Sequence, residues 1–268
     1  MKNDLNDFVE MVIDEDELIV CTAIHNGHGL EPLIAANMAL NENERLYEED
    51  PHTGYFTEIC GNRVIVKHSR FEIDINRPPE KAFYAKPDQA WGLNVRKKEP
   101  AIAERELAMS NYQRFYDEVH EMISKLLEKH KRIFVYDLHS YNHQRQGAGM
   151  PYDDPAKNPE IILGTNNMPD KFMPLVEMVQ KQLVSEDFFG QRLDVRINVK
   201  FDGGQFSRWL HNSFPDQVVC IALEFKKIFM DEWSGEVDWE KALRLREILS
   251  TTFPIIREEE GKSERTKG

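Results

Sequence analysis

The chain has 268 residues, 47 acidic against 34 basic, a formal charge of −13 and three cysteines. Its 41% hydrophobic and 30% charged residues are the balance of a globular protein that can bury a core without disulfides or a structural metal. The acidic excess argues against nucleic acid or an anionic membrane surface as partner, and no apolar run approaches the roughly 18 residues of a membrane span. The opening segment, MKNDLNDFVEMVIDEDE, has neither the basic nor the apolar region of a secretory signal. Cys21, Cys60 and Cys220 form no CxxC pair, which predicts reduced thiols in a cytoplasmic protein. A soluble enzyme and a binding protein both remain open.

In chain order, apolar and β-branched runs predict strands at 18–24 and 63–67. A helix follows over about 102–130, where Leu107, Phe115, Val119, Met122 and Leu126 share one face and Pro100 sits just before the start. Next come a strand at 133–138, a helix near 170–184, strands at 193–199 and 218–223, and a helix at 239–250. Several strands are apolar on successive residues, as expected when helices cover both faces. The alternation predicts an α/β fold around a mainly parallel or mixed sheet. Residues 1–256 read as one domain, and 257–268, with no apolar residue after Ile256, as a charged disordered tail. Residues 78–100 and 141–169, rich in proline and without a period, read as long loops of the kind that are either functional or disordered.

Ligands of open α/β sheets bind beyond the carboxyl ends of the strands, so the residues after each strand carry the most information. His25-Asn26-Gly27-His28-Gly29 follows the first strand, and His68-Ser69-Arg70 and then Asp74-Ile75-Asn76-Arg77 follow the second. His139-Ser140 follows the third and Glu224 the last. A single histidine at such a place is ordinarily a hydrogen-bonded loop residue. Two, His25 and His139, each ending an apolar strand, point equally to a metal, and catalytic zinc commonly takes two histidines and a carboxylate. Glu224 is costly to bury unless it is paired or near a cation. Arg70 and Arg77 stand beside the histidines rather than scattered over the surface. There is no HExxH, P-loop or G-x-S-x-G motif, and His28 with Glu31 makes only an H-x-x-E that arises easily by chance.

Taken together, the segments IHNGHGLEP (24–32), EEDPHTGYF (48–56), SRFEIDINRPP (69–79), YDLHS (136–140), LGTNN (163–167), FDGGQFSR (201–208) and ALEF (222–225) resemble the N-formylglutamate amidohydrolase family. SRFEIDINRPP and YDLHS are the specific ones. The resemblance implies a zinc-carboxypeptidase-like architecture, a three-layer αβα sandwich around a mixed, largely parallel sheet. It implies one zinc ion per chain held by His25, His139 and a carboxylate from the acidic cluster, best matched by Asp50. Glu48, Glu49, or Glu31 with His28 stay open as alternatives for that carboxylate. It further implies Glu224 as the catalytic glutamate and Arg70 facing the scissile carbonyl. Asn76 and Arg77 would hold the substrate carboxylate, and Arg208 would add to the pocket.

Two departures, Ile24 before His25 and Glu48-Glu49-Asp50 in place of Asp-Thr-Asp, widen the implied substrate to N-acyl amino acids or related small amides. The partner expected is thus a small molecule with a carboxylate. Two readings compete with a zinc amidohydrolase: a non-catalytic sensor of an acidic metabolite, and a carboxypeptidase-like peptidase.

Overall fold

Every residue of Ile19–Ala23 is buried, as expected for a strand covered on both faces. A computed structural model describes residues 8–265 and places this strand inside a seven-stranded sheet. The chain begins with β1 (Val9–Val12), β2 (Ile19–Ala23), three short helices α1 (Pro32–Asn37), α2 (Glu42–Glu48) and α3 (Thr53–Phe56), then β3 (Asn62–Val66) and α4 (Pro79–Ala82). The long α5 (Ile102–Leu127), β4 (Ile133–Tyr141), β5 (Ile161–Gly164) and α6 (Met173–Ser185) follow. After a two-stranded hairpin of β6 (Asp187–Phe188) and β7 (Gln191–Arg192) come β8 (Val195–Ile197), α7 (Gln205–Ser213), β9 (Val218–Lys226), α8 (Trp239–Ser250) and α9 (Phe253–Arg265).

The strand order is β1-β3-β2-β4-β9-β5-β8. The pairs β3–β2, β2–β4, β4–β9 and β5–β8 are parallel, while β1 and β5 run antiparallel to β3 and β9. The sheet is therefore mixed and mostly parallel, as the alternating sequence pattern predicts. Because side chains alternate between faces, the central strands feed two separate cores. Val20, Val135, Val218 and Cys220 pack with Phe115 and Val119 of α5 and with Phe206 and Leu210 of α7. Ile19, Tyr136, Val219 and Ile221 pack with Val176 of α6, Leu245 of α8 and Ile256 of α9. Among the described residues no helix is long and apolar enough to cross a membrane.

Several expectations change. Strands β4 and β9 run on three residues past their predicted ends, because the ladder continues through polar positions: His139 pairs with Glu224 and Tyr141 with Lys226. Apolarity stops before the hydrogen bonding does. Strand β5 is only four residues long inside a proline-rich stretch, too short to stand out by composition. Residues 257–265, read as a tail, continue α9; within them Glu260 is buried and pairs with Arg132 at 3.4 Å. The last three residues of that tail, and the first seven of the segment examined for a signal, lie outside the described residues. The expectation of three separate thiols is also corrected. Cys21 and Cys60 are joined in a disulfide and only Cys220, buried, is free, so reduced cysteines no longer support a cytoplasmic location.

The irregular chain between β3 and α5 is held by one buried cation. Arg96, 4% exposed, donates from Nε to the Tyr84 carbonyl at 3.2 Å and from Nη2 to those of Phe71 and Glu72 at 2.9 and 3.3 Å. Its guanidinium also lies 4.4 Å from the Phe83 ring centre. Backbone carbonyls buried without donors are costly, so this side chain fixes the segment that carries Arg70, Asn76 and Arg77. Arg96→Met, which keeps bulk and removes the donors, is expected to lower unfolding free energy by about 3 kcal/mol. Urea denaturation measures it; a loss under about 0.5 kcal/mol, the range of ordinary surface substitutions, would show that the segment holds itself.

Candidate functional site

The carboxyl ends of β2, β4 and β9 converge on one cavity of about 370 Å³. His25 follows β2, His139 lies within β4, and Glu224 sits opposite His139 on β9. Asp50 arrives from outside the sheet. Asn41 caps α2 by accepting from the Glu44 amide, and the Glu44 carboxylate accepts in return from the Asn41 amide. The helix so fixed delivers Glu48, Glu49 and Asp50 to the strand ends, where the Asp50 amide donates to the His25 carbonyl at 3.0 Å.

His25, Asp50 and His139 are all buried, and each offers a ligand atom within 4.8 Å of the other two. Asp50 Oδ2 lies 2.9 Å from His139 Nδ1 and 3.4 Å from His25 Nδ1. The outer nitrogens are held as well: His25 Nε2 lies 2.8 Å from Asp74 and His139 Nε2 lies 3.0 Å from Asp137. Both carboxylates are fully buried. Asp137 precedes His139 by two positions on a strand and so shares its face; it also accepts from Thr22 Oγ1 at 2.8 Å, across the parallel β2–β4 pair. Two imidazoles that present one nitrogen each to a shared point, with the other nitrogen on a carboxylate, match the way proteins orient histidine ligands.

The three acidic candidates separate. Glu48 takes Arg145 in a two-toothed pair at 3.0 and 3.2 Å. Glu49 accepts from Ser69 Oγ and lies 2.6 Å from His28 Nδ1. Asp50 alone of the three lies with His25 and His139. The H-x-x-E reading of His28 with Glu31 is not met, since His28 Nδ1 turns to Glu49 at 2.6 Å and neither residue joins the group of His25, Asp50 and His139.

Asp74 is a hub that the sequence reading overlooked. Besides His25, it accepts from Arg70 Nη2 at 2.7 Å, from the Asn76 amide at 2.9 Å and from the Tyr84 hydroxyl, and Arg77 Nε stands 4.0 Å away. Burial opposes its charge, but Arg70 and then His25 outweigh that and hold its pKa well below the usual carboxylate range. Burial likewise works against Asp50, yet bonding to His139 and His25 keeps it low. For His139 burial disfavours the cation, while Asp137, Asp50 and Glu224 raise its pKa well above the ordinary value. Glu224 goes the other way: burial, with Asp50 and Asp137 adding, pushes it up to about 7 against the pull of His139 and His25. Carboxylates with split affinities for a proton in one cavity are the pattern of acid–base sites.

Arg70, Asn76 and Arg77 line the same cavity. Trp91, from the 78–100 stretch and also unforeseen, lies 5.0 Å from the Arg70 guanidinium and 5.5 Å from that of Arg77. Asn76 Oδ1 accepts from the Phe206 amide at 3.1 Å, capping α7 and leaving its Nδ2 as the donor. Gly204 permits that approach, because a Cβ there would lie 2.0 Å from Asn76 Oδ1. Arg208, on α7, does not line the cavity. Arg145, Lys200 and Lys227 do, and none of them was singled out in the sequence.

Fold and cavity together define an α/β protein with a candidate divalent-metal centre, a buried glutamate beside it and an arginine-lined wall. The N-formylglutamate amidohydrolase family profile matches residues 18–230, and the chain belongs to that family. Among solved structures, an N-formylglutamate amidohydrolase from Ralstonia eutropha JMP134 is similar at a TM-score of 0.75 and 16% identity, covering 96% of this chain and 99% of that one. The Atu2144 gene product of Agrobacterium tumefaciens is similar at 0.66 and 18% identity, covering 93% and 96%. At such identities the likeness is one of fold. No curated protein matches the sequence.

Removing the hub carboxylate leaves Arg70 buried without its partner, a change that typically costs about 3–5 kcal/mol. Asp74→Ala is therefore expected to lose that much stability, and Asp74→Asn, which can still accept from Tyr84, less. Guanidinium denaturation of both checks this; an Asp74→Ala protein as stable as the parent would remove Asp74 from its central role.

Proposed function

We propose that the chain is a zinc-dependent amidohydrolase that cleaves the amide of N-formylglutamate or a closely related N-acyl amino acid. One observation carries the reading: the two histidines and Asp50 meet with their ligand atoms within 4.8 Å, each imidazole backed by a buried carboxylate. Two imidazole nitrogens and one carboxylate oxygen suit Zn²⁺ with a position left for reaction. Zinc held there supplies Lewis acidity, making water a stronger acid and an amide carbonyl a better electrophile. We also read the two cores on opposite faces of the sheet as the three-layer arrangement of the zinc-carboxypeptidase-like proteins.

The chain's own residues supply the rest. Glu224, its proton affinity raised by burial, takes a proton from the attacking water and delivers it to the leaving nitrogen. The water oxygen ends on the acyl carbon, so the products are an amino acid and formate or another short acid. Arg70, oriented by Asp74, donates to the carbonyl oxygen as negative charge develops, a contribution of about 3 kcal/mol for a single donor elsewhere. Arg77 and Asn76 Nδ2 grip the α-carboxylate, for which a guanidinium offers two parallel donors. The cavity, about 370 Å³, is at the small end of ligand sites, which favours an amino-acid derivative over an extended peptide.

Protein purified without chelator is expected to carry one zinc per chain by elemental analysis. Glu224→Gln should keep that metal while kcat for N-formylglutamate falls by about 10³-fold, within the range for loss of a general base. Absence of zinc, or a Glu224→Gln protein within tenfold of the parent, would contradict the mechanism. Tight binding of N-acyl amino acids without turnover by the zinc-loaded parent would make the protein a sensor instead. Release of C-terminal residues from a peptide mixture would make it a peptidase.

A further inference from the structure

Arg77 is held in place largely without hydrogen bonds. Among the described residues its guanidinium makes none, and its Nε stands 4.0 Å from Asp74, whose oxygens are already taken by Arg70, Tyr84 and His25. What it meets instead are two aromatic faces. The guanidinium carbon lies 5.6 Å from the Tyr84 ring centre and 5.5 Å from that of Trp91. The same indole stands 5.0 Å from the guanidinium carbon of Arg70. One ring therefore serves two cations, and only Arg70 is hydrogen-bonded to a carboxylate.

The two ways of holding an arginine differ in what they leave for a ligand. A carboxylate fixes it by consuming N–H donors, whereas an aromatic face attracts the cation through the ring quadrupole and consumes none. Arg77 so keeps all of its N–H donors. Arg70 gives Nε and Nη2 to Asp74 and Nη1 to the Glu48 carbonyl, and keeps a second hydrogen on each Nη. The attraction of both cations to one ring also offsets the repulsion between two guanidiniums on a single cavity wall.

Trp91 occupies this position against local preference. Its φ is 53°, in the left-handed region that bulky residues avoid, and it is 52% exposed, so burial does not account for an indole there. The turn that carries it is tied down. The Gly92 amide donates to the Pro87 carbonyl and the Leu93 amide to that of Ala90, both at 2.8 Å, while Val95 is buried in the core beneath α5. A strained residue held by a firmly bonded turn at a ligand cavity marks a functional constraint. Resting on the amidohydrolase reading, we infer that Trp91 is a positioning residue. It holds the faces of Arg70 and Arg77 so that their edges meet the carbonyl oxygen and the α-carboxylate of the substrate.

The test pairs Trp91 with the arginine through which it acts on binding. Trp91→Leu keeps apolar bulk and removes the π face, and kcat/KM for N-formylglutamate should fall by about 5- to 30-fold, the worth of two such contacts. The loss should divide between a lower kcat, through Arg70, and a higher KM, through Arg77, and Trp91→Phe should recover most of it. Calorimetric binding of L-glutamate, which reports the Arg77 contact, should weaken by about two- to fivefold in Trp91→Leu. That weakening should vanish in an Arg77→Gln background, where the ring has no guanidinium to hold at the carboxylate. In turnover the same background should remove the KM effect of Trp91→Leu and leave its kcat effect. Equal losses with and without Arg77 would mean that the indole touches the ligand itself, and overturn the assignment. So would a Trp91→Leu protein with parental kcat/KM, or a Trp91→Phe protein equally impaired, the result of a merely structural role. If no N-formyl substrate turns over but the glutamate loss persists and disappears with Arg77, the hold on Arg77 stands and the amidohydrolase reading falls.

Discussion

A buried carboxylate, Asp50, lies between the imidazoles of His25 and His139, and much of the molecule can be understood as what makes that arrangement tolerable. Charges removed from water must be matched by partners or they oppose folding. Asp74 and Asp137 take the outer ring nitrogens, which adds two further buried acids that need donors of their own. Thr22 supplies one to Asp137; Arg70, Tyr84 and the Asn76 amide supply three to Asp74. The centre is thus nested, each shell of charge holding the one inside it.

Function follows from the same nesting. Arg70 and Asn76 are positioned by Asp74, which also orients His25, so on the proposed reading carbonyl recognition, carboxylate recognition and the candidate metal centre share one anchor. Asn76 extends it again, since its carbonyl oxygen caps α7 and frees its amide nitrogen for a ligand. On the other side, Lys227 ties the carbonyls of Tyr47 and Glu49 to the end of β9. The segment bearing Asp50 is thereby fixed to the strand bearing Glu224. A site with this much shared support is expected to be rigid before substrate arrives, as electrostatic stabilisation of a transition state requires.

Much of this was legible in the sequence. Apolar, β-branched runs marked the central strands because those strands are covered on both faces, and the polar residues following them marked the cavity. His25, His139, Glu224, Arg70, Asn76 and Arg77 all reach it. The missing parts share physical reasons. Strand β5 is too short for periodicity to declare it, whereas helix α7 carried a signal in the spacing of Phe206, Trp209 and Leu210; β4 and β9 extend through histidine, serine and glutamate that no propensity assigns to a strand. Which of Glu48, Glu49 and Asp50 faces the histidines depends on where α2 ends, a shift of one residue that pattern alone does not fix. Asp74 and Asp137 stood inside the quoted motifs, and the spacing of Asp137 and His139 on one strand face was the available signal. The joined pair Cys21 and Cys60 had none, since 39 positions separate them and only the fold brings β2 beside the turn before β3.

The central claim is that His25, His139 and Asp50 form a zinc centre in which the inward nitrogens are the ligands and the outer ones stay on Asp74 and Asp137. X-ray absorption at the zinc edge, on protein loaded with one equivalent of the metal, addresses it directly. The account predicts a first shell of two imidazole nitrogens with oxygen donors at about 2.0–2.2 Å, losing one oxygen donor in Asp50→Ala and keeping both imidazoles. A shell with one imidazole or none, or one unchanged by Asp50→Ala, would contradict it.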